Sequence, residues 1–463
     1  MADSGPFDIV VLGGGSGGYA CALRASELGM SVALVERDKL GGTCLNRGCI
    51  PTKALLHAAE IADQTREAAN FGVKADFVGI DIDGVHAYKD KVVSGTVKGL
   101  TGLIKARGIE VVEGEGRLAS PTSVEVRAAD GSTRTLTGRH VLLATGSAPR
   151  TLPGLEVDGE KVIFSDQALT LGRVPSSVVI LGGGVIGVEF ASVWRSFGAD
   201  VTIVEALPHL LPLEEESSSK RLERAFRKRG IKYELGVRFQ GVVGTDAGVS
   251  VTLENGTTLD AELLLVAVGR GPVSAGLGFE EAGIELERGF VKVDELCRTS
   301  VPSVSAVGDL VDTPQLAHVG FAEGILVAER LGGLDPAPID YDGVPRITYS
   351  DPEVASVGIT SKVAAERGYE IDEAVYDLAG NPKSKILGTQ GEVRVIAERG
   401  GRVLGLSMVG ARVGELITEG QLIYNWEALP SEVAQLIHPH PTQSEAVGEA
   451  HMMLAGKPLH VHG

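Results

Sequence analysis

Two stretches of the chain share the same order of apolar and polar positions. In each, an apolar run is followed by a glycine-rich turn, a predicted helix and a second apolar run, over residues 9–36 and 178–205. The first runs, Ile9–Leu12 and Val178–Leu181, are typical of central parallel strands, which are buried on both faces. The pattern predicts two strand–turn–helix–strand units.

The two units align without insertion at a constant offset of 169 residues. In such units the first glycine makes a tight turn, the second lets the backbone approach a pyrophosphate, and the third lets the helix pack on the sheet. The acidic residue at the end accepts hydrogen bonds from ribose hydroxyls. Since each copy has its strand, helix and acid in place, we expect two dinucleotide sites rather than two chance glycine turns. The matched positions are Gly13, Gly15, Gly18 and Glu36 in the first unit, and Gly182, Gly184, Gly187 and Glu205 in the second.

The acidic residue of the second unit also indicates which nucleotide binds there. The carboxylate of Glu205 would repel a 2′-phosphate, and no arginine follows closely enough to bind one. NAD is therefore favoured over NADP.

Three more apolar runs end in turns: Val141–Gly146, Leu263–Gly269 and Val304–Asp309. Ligands of open α/β sheets bind at the carboxyl ends of strands, so we expect cofactor contacts there, with Asp309 accepting from a cofactor hydroxyl. From about residue 345 the pattern changes to alternating stretches such as 392–396, which predict antiparallel strands. Helices are predicted over 413–426 and 430–437. The sequence thus predicts an α/β protein with a separate C-terminal α+β domain.

Cys44 and Cys49 follow the first unit, separated by four residues. Pro51 suits the first turn of a predicted helix, and a cysteine near a helix N-terminus has a stabilised thiolate, as a redox thiol requires. A zinc site would need four ligands, and His57 alone does not complete one. Two inert buried thiols are the other alternative, which the adjacent fingerprint and Lys53 disfavour. Cys21 and Cys297 stand alone, and we expect both to be packing residues.

Composition narrows the possible partners. The formal net charge is −18, whereas nucleic-acid binders carry a basic surface or stripe. No apolar run of about 18 residues predicts a membrane span. The first residues lack the pattern of a secretory signal, and four cysteines are too few for a secreted disulfide scaffold. We therefore expect a cytoplasmic protein that binds neither nucleic acid nor membrane, and no metal site.

With these motifs the chain resembles the pyridine nucleotide–disulfide oxidoreductases, above all their lipoamide-linked members. The resemblance covers essentially the whole length. It rests on both fingerprints and on Gly41–Cys44, Cys49–Lys53, Ala144–Gly146, Gly308–Asp309, and His438–Thr442 with Glu445.

The resemblance implies the domain organisation. Residues 1–149 would begin an FAD-binding domain that 273–344 complete. Residues 150–272 would form an NAD-binding domain, so that two Rossmann-like domains precede a C-terminal α+β dimerisation domain, 345–463. A homodimer is implied, in which the base of one subunit reaches the disulfide of the other. The implied partner is the lipoyl domain of the acyltransferase in 2-oxoacid dehydrogenase complexes.

The resemblance also implies residue roles. Cys44 would meet the substrate and Cys49 would lie against the flavin. Lys53 would sit near the flavin, paired with Glu189, and His440 would be the base, oriented by Glu445. The implied FAD residues are Gly13, Gly15, Gly18, Glu36, Lys53, Gly116, Thr145, Gly146, Ser147, Asp309, Gln315, Leu316, Ala317 and His318. The implied NAD residues are Gly182, Gly184, Gly187, Glu189, Glu205, Phe239 and Gly269.

Some alternatives remain open at this point. His438 competes with His440 for the role of base, although we assign it a structural part. Arg47 stands where close relatives often carry a small apolar residue. The nearest rival activity is reduction of a low-molecular-weight disulfide such as mycothione. A mercuric reductase would be expected to carry a C-terminal cysteine pair, which this sequence lacks, and a redox-silent binding subunit would not need the intact catalytic set.

Overall fold

The structure is a computed structural model that describes residues 6–461. The chain divides into two compact units, each assembled from three segments. Unit 1 contains the chain up to Ala54, Asp83–Arg150 and Gly269–Tyr341. Unit 2 contains Leu55–Ile82, Thr151–Val268 and the chain from Asp342 onward.

Strands occur in both units. Within residues 6–461 they are β1 Phe7–Leu12, β2 Val32–Glu36, β3 Glu110–Glu113, β4 Glu115–Ser120, β5 Ser123–Arg127, β6 Thr133–Leu143, β7 Ser147–Pro149, β8 Val162–Ile163, β9 Ser177–Leu181, β10 Asp200–Glu205, β11 Lys232–Leu235, β12 Phe239–Thr245, β13 Gly248–Leu253, β14 Thr258–Ala261, β15 Leu263–Val266, β16 Arg270–Pro272, β17 Leu286–Glu287, β18 Phe290–Val291, β19 Val304–Ala306, β20 Arg346–Thr348, β21 Glu353–Gly358, β22 Ile371–Asp377, β23 Glu392–Glu398 and β24 Val403–Gly410.

The α-helices of the same residues are α1 Ser16–Glu27, α2 Gly42–Arg47, α3 Cys49–Glu67, α4 Ile82–Ala106, α5 Ser165–Ala168, α6 Val185–Phe197, α7 Glu216–Lys228, α8 Ala317–Leu331, α9 Ser361–Glu366, α10 Pro382–Leu387, α11 Val413–Asn425, α12 Pro430–Val433 and α13 Glu445–Leu454. Short 3₁₀ turns cover Ala68–Phe71, Gly308–Leu310 and Leu378–Gly380. None of the helices described is long and apolar enough to cross a membrane.

Unit 1 is built on a sheet in the order β3-β2-β1-β6-β5-β4, with β19 also paired to β6. Strand β1 lies between β2 and β6 and is parallel to both, since Val11 pairs with Leu34 and with Leu142. Successive residues of β1 enter different cores: Val10 packs in one cluster and Val11 in the other. A strand buried on both faces must be apolar throughout, which is why its sequence does not alternate.

Helices α1 and α8 cross closely on one face of that sheet. A Cβ at Gly324 would lie 2.2 Å from the carbonyl oxygen of Gly17, and one at Gly320 would lie 3.2 Å from the nitrogen of the same residue. The two helices can approach this far only because glycine removes the side chain at the crossing. The crossing fixes α8 beside the first fingerprint helix.

Unit 2 contains a parallel sheet in the order β11-β10-β9-β15-β8, a three-stranded antiparallel sheet β12-β13-β14, and a five-stranded antiparallel sheet β20-β21-β24-β23-β22. The last sheet packs its apolar face against α11 and α13. The predicted fold class, two Rossmann-like units with a C-terminal α+β domain, is confirmed.

Two local features differ from the sequence expectation. The helix expected over 430–437 is shorter and spans only Pro430–Val433. Cys44 lies in a short helix, α2, that no periodic pattern indicated. Isolated helices of this length are unstable in water, so α2 depends on contacts made by the folded chain. The side-chain amide of Asn46 donates to the carbonyls of Leu40 and Gly42 and ties the helix to the preceding loop.

Candidate active site

The first fingerprint forms a close turn with open space on one side. Gly13 has φ +110°, and a Cβ there would lie 2.2 Å from the carbonyl oxygen of Ala144. A Cβ at Gly18 would lie 1.9 Å from the carbonyl oxygen of Gly13. At Gly15, by contrast, an added Cβ would meet no atom within 4 Å. The turn therefore needs glycine for its own packing at two positions and leaves room for a phosphate at the third.

Glu36 ends β2 and turns its carboxylate back to this turn. One oxygen accepts from the N–H of Gly14 at 2.8 Å and the other from the N–H of Asp38 at 2.8 Å. Two backbone donors hold the carboxylate in one orientation while leaving each oxygen a further lone pair. This arrangement suits an acceptor for ribose hydroxyls.

The second fingerprint repeats this geometry in unit 2. Gly182 has φ +108°, and a Cβ at Gly187 would lie 2.0 Å from its carbonyl oxygen. The carboxylate of Glu205 accepts from the N–H of Gly183 at 2.6 Å and from that of Leu207 at 2.8 Å. Gly184 again faces open space. Both sites therefore fit a dinucleotide, because each combines a glycine turn, the N-terminus of a helix and a fixed carboxylate.

Three of the predicted strand-end positions meet in unit 1. Ser147 donates from its hydroxyl to the carboxylate of Asp309 at 2.5 Å. Arg270 donates to the Ser147 hydroxyl oxygen and to its carbonyl oxygen, both at 2.8 Å. Thr145 donates to the carbonyl of Val273 at 2.6 Å. The turns after β6 and β19 and strand β16 thus form one polar edge beside the first fingerprint.

Other predicted cofactor positions have different surroundings. Gly116 lies in β4, where a Cβ would approach Leu12 to 2.3 Å, so its absent side chain serves packing. Gln315 and Leu316 precede α8, which begins at Ala317 and carries His318 in its first turn. Phe239 packs at the edge of the unit 2 core, and Gly269 has φ +115°. Cofactor contact by these residues stays a prediction.

The cysteine pair joins two consecutive helices: Cys44 lies within α2, and Cys49 begins α3. Both side chains are partly buried free thiols, and Cys44 is hydrogen-bonded to Cys49, the first residue of α3. This hydrogen bond, followed by burial and the charge on Cys49, raises the pKa of the Cys44 thiol, whereas the charge on Lys53 opposes the rise. Since a dithiol sharing one proton resists losing the second, the pair is suited to holding a single negative charge.

Tyr19 is a neighbour of the cysteines that the sequence analysis missed. Its pKa is raised to about 12, chiefly by burial and then by the charges of Cys44 and Cys49. The fingerprint motif draws attention to its glycines, and only the fold brings this tyrosine of α1 beside the thiols. Its hydroxyl therefore stays protonated near neutral pH.

His440 and Glu445 form a hydrogen-bonded pair in unit 2. Nδ1 of His440 lies 2.9 Å from one oxygen of Glu445, and the other oxygen accepts from the N–H of Thr442 at 2.9 Å. Burial would raise the pKa of Glu445, but the hydrogen bonds from Thr442 and His440 outweigh it and lower that pKa. The imidazole is 69% exposed. An ionised carboxylate thus orients an accessible imidazole, as in known acid–base pairs.

His438 is placed differently, although it lies only two residues before His440. Its Nε2 lies 2.7 Å from the carboxylate of Glu419, and its side chain is only 11% exposed. The hydrogen bond with Glu419 raises the pKa of His438 against the opposing effect of burial. A Cβ at Gly448 would lie 2.6 Å from its Nδ1, so the ring is packed against α13. This supports the structural part that we assign to His438.

Glu189 is buried in α6 and accepts from the N–H of Tyr349 at 3.0 Å. Its proposed pairing with Lys53 stays a prediction. Arg47, in the last turn of α2, pairs with Asp38 at 3.2 Å, and both side chains are 45% exposed.

Two protein-family models match this chain. Residues 7–324 match the family model of the pyridine nucleotide-disulphide oxidoreductases, and residues 344–451 match the dimerisation domain of the same proteins. The chain belongs to the pyridine nucleotide-disulphide oxidoreductase family.

Its relatives are more specific. The chain is 40% identical to the dihydrolipoyl dehydrogenase of Bacillus subtilis, covering 98% of this chain and 99% of that one. It is 38% identical to a leghemoglobin reductase of Vigna unguiculata, covering 98% and 88%. Among solved structures, LpdA of Mycobacterium tuberculosis has a TM-score of 0.90 at 30% identity, covering 96% and 99%. The Cu(II) complex of the HOCl-induced flavoprotein disulfide reductase RclA of Escherichia coli has a TM-score of 0.88 at 27% sequence identity. The match covers 97% of this chain and 100% of that one.

The protein is therefore an enzyme, a flavoprotein disulfide oxidoreductase that uses FAD and NAD. The predicted cofactors and the predicted enzyme class are confirmed. The dimerisation-domain match supports the predicted homodimer. The family match defines the class of reaction, and the relatives named above differ in the substrates that their names indicate.

Proposed function

We propose that the enzyme is a dihydrolipoyl dehydrogenase, which oxidises protein-bound dihydrolipoamide to lipoamide and reduces NAD to NADH. The assignment of dihydrolipoamide as the substrate rests on the similarity of the whole chain to dihydrolipoyl dehydrogenases, at 40% identity to that of Bacillus subtilis. The thiol pair and the His440–Glu445 pair supply the groups that this oxidation requires.

His440 begins the proposed reaction by taking a proton from one thiol of the substrate. The resulting thiolate attacks the sulfur of Cys44 in the oxidised enzyme, because thiolates and not thiols are the nucleophiles of disulfide exchange. The Cys44–Cys49 bond breaks, Cys49 leaves as a thiolate, and a mixed disulfide joins Cys44 to the substrate. The positive charge of Lys53, which acts on Cys44 in the structure, favours thiolates at this site.

The second substrate thiol then loses its proton and attacks the sulfur that is bound to Cys44. Lipoamide leaves as an intact disulfide. Cys44 departs with its electron pair and takes the proton that the second substrate thiol lost, while His440 keeps the first proton. The substrate has lost two electrons and two protons, and the cysteine pair has gained the electrons. The chemistry that FAD would supply when bound is the transfer of this electron pair from the thiols to NAD.

The cofactors would be held by the two cradles. We assign FAD to the first fingerprint with Glu36, Thr145, Ser147 and Asp309, and NAD to the second with Glu205. Lys53 and Glu189 would contribute to holding the flavin. The remaining predicted contacts, such as Gly116 and Gln315–His318, belong to the FAD site in this proposal.

We also propose that the enzyme works as a homodimer. Large apolar side chains of the C-terminal part are exposed in the single chain: Trp426 by 76%, and Leu436 and Ile437, shortly before His440 in the sequence, by 60% and 98%. Apolar patches of this kind mark contact surfaces. In the proposed dimer a second copy covers them, and His440 of one subunit meets the thiols of the other. The proposed partner is the lipoyl domain of a 2-oxoacid dehydrogenase complex, and the proposed location is the cytoplasm.

The rival function is reduction of a low-molecular-weight disulfide, favoured by the structural likeness to a flavoprotein disulfide reductase, RclA. A panel of substrates separates the two. We expect NADH formation from dihydrolipoamide, with NADP a far poorer acceptor. Turnover confined to a small thiol such as mycothiol would contradict the lipoamide assignment while leaving the family intact.

A further inference from the structure

A buried carboxylate lies directly behind the turn that carries Asp309. Glu323, in α8, is 0% exposed. One of its oxygens accepts from the backbone N–H of Gly308 at 2.6 Å. The other accepts from the hydroxyls of Thr313 at 2.8 Å and of Tyr341 at 2.9 Å. Three donors from three parts of unit 1 therefore converge on one side chain.

This position is costly for a glutamate. Burial raises the pKa of Glu323, although the three hydrogen bonds oppose the rise, and the negative charge of nearby Asp309 adds to it. Burying a carboxylate without an opposite charge is unfavourable unless hydrogen bonds replace its water. Three hydrogen bonds replace that water here, and one of them holds the turn at Gly308.

The turn itself requires support. Gly308 has φ +73° and begins the short 3₁₀ turn Gly308–Leu310, which is separated from the end of β19 by one residue. Its N–H points to Glu323, while the next residue, Asp309, turns to Ser147 at the polar edge of the FAD site. The hydrogen bond at Gly308 therefore sets the direction in which Asp309 leaves the strand.

A second contact from α8 holds β19 itself. Arg330, two helical turns after Glu323 and so on the same face, donates to the hydroxyl of Ser305 at 2.7 Å. Ser305 is 0% exposed and lies in the middle of β19. One face of α8 thus makes hydrogen bonds both to β19 and to the turn that follows it.

We propose that Glu323 is a positioning residue for FAD: its carboxylate fixes the Gly308 turn so that Asp309 is held ready for a cofactor hydroxyl. The residue touches no cofactor itself and acts through the backbone of Gly308. The inference rests on the FAD role proposed for Asp309, and it does not depend on which disulfide the enzyme uses.

Equilibrium binding of FAD to the stripped apoenzyme, followed by flavin fluorescence, tests this without any turnover. Glu323→Ala should weaken FAD binding about 10- to 100-fold, the range that loss of a hydrogen bond to a charged group produces. Glu323→Gln should restore affinity to within about threefold, because its amide oxygen still accepts from Gly308 and its NH₂ can donate to the two hydroxyl oxygens. Hydrogen exchange in the segment 304–313 of the apoenzyme should be faster in the Ala variant and not in the Gln variant.

The matched control is Glu329→Ala on the same helix, which removes a pair with Arg24 at 2.7 Å. It should leave FAD affinity within about twofold of the unaltered enzyme, as expected for a partly exposed ion pair. If Glu323→Ala does not fold, the double variant Thr313→Val, Tyr341→Phe removes two of the three donors and should still weaken FAD binding several-fold. Unchanged affinity in Glu323→Ala, unchanged affinity in the double variant, or an equal loss in Glu329→Ala would each overturn the proposal.

Asp309→Ala separates this inference from its premise. Weak FAD binding in Asp309→Ala together with full affinity in Glu323→Ala rejects the positioning role alone. Full affinity in Asp309→Ala rejects the premise, and the positioning role with it. A variant that binds FAD normally but does not oxidise dihydrolipoamide would test the proposed function and not the positioning role of Glu323.

Discussion

The carboxylate of Glu205 accepts a hydrogen bond from the backbone N–H of Gly183 at 2.6 Å, as that of Glu36 does from Gly14 at 2.8 Å. Glu36 and Glu205 are 169 residues apart, as are the matched glycines of the two fingerprints. Each dinucleotide site therefore has its own fixed acceptor at the end of its second strand. An acceptor fixed in this way binds ribose hydroxyls and repels a 2′-phosphate.

Replacing Glu205 should therefore change the nucleotide preference. Glu205→Ala should raise the KM for NAD about 10-fold, with FAD content unchanged, because an acceptor for the ribose hydroxyls is lost. Adding Leu207→Arg should improve turnover with NADP, since Leu207 donates its N–H to the same carboxylate and lies 49% exposed at this site. Steady-state kinetics with both nucleotides measures the change. Equal KM values in the variant and the parent would mean that Glu205 does not contact the nucleotide.

The thiol chemistry depends on Cys44. Cys44→Ser should abolish oxidation of dihydrolipoamide while the protein still binds FAD, because the substrate thiolate has no sulfur to attack. The control is Cys21→Ala, which removes a buried thiol from α1 outside the site. Its activity per bound FAD should stay close to that of the parent. Turnover that survives in Cys44→Ser would contradict the disulfide mechanism.

The base is tested by comparing two histidines that are two residues apart. His440→Gln should lower kcat by about 10²-fold or more, as expected for loss of a general base. His438→Gln should lower the thermal stability and leave most of the rate, because this imidazole is buried and held by Glu419. The pH–rate profile of each variant adds a second measurement. A larger rate loss in His438→Gln would exchange the two roles.

The homodimer is tested at the exposed apolar residues near His440. Ile437→Asp should shift the protein toward monomers in analytical ultracentrifugation, because it places a charge within the surface that a second copy would bury. Dihydrolipoamide turnover should fall with the dimer fraction, since the proposed base and thiols belong to different subunits. Leu334→Asp, at a 47% exposed leucine of unit 1, is the control and should leave the mass unchanged. A fully active monomer would contradict the shared site.

Acid should destabilise the protein through two buried histidines. Burial lowers the pKa of His140 to about 4 and that of His451 to about 4. In the unfolded chain both groups take a proton near pH 6.5, so the stability that depends on their neutral forms is full above pH 6.5 and is lost as the pH falls toward 4. Each of these two histidines should lower the free energy of unfolding by roughly 2 kcal/mol at pH 5.

Urea unfolding at pH 7 and pH 5 measures this loss. His140→Asn should reduce the difference between the two midpoints, because Asn does not titrate, whereas His57→Asn, at an exposed histidine, should not. An equal reduction in both variants would mean that burial of His140 is not the cause.

The C-terminal helix near residue 430 shows the limit of local patterns. Apolar positions after Pro430 are compatible with a helix to 437, yet the helix ends at Val433 and leaves Leu436 and Ile437 exposed. Helix α2 is the opposite case, because it has no periodic pattern and is held by Asn46 and its surroundings. Short helices take their limits from tertiary contacts, since their own hydrogen bonds do not stabilise them.

The sequence by itself determined both dinucleotide cradles, the thiol pair and the fold class. These features depend on spacings within about 30 residues, where a glycine turn, a strand and a helix dictate one another's geometry. Only the tertiary structure decided that Ser147 meets Asp309, that Tyr19 lies beside the thiols, and that Glu323 holds the Gly308 turn. Ser147 and Asp309 are 162 residues apart, and no local rule brings them together. Such contacts follow from how helices and strands pack in the folded chain.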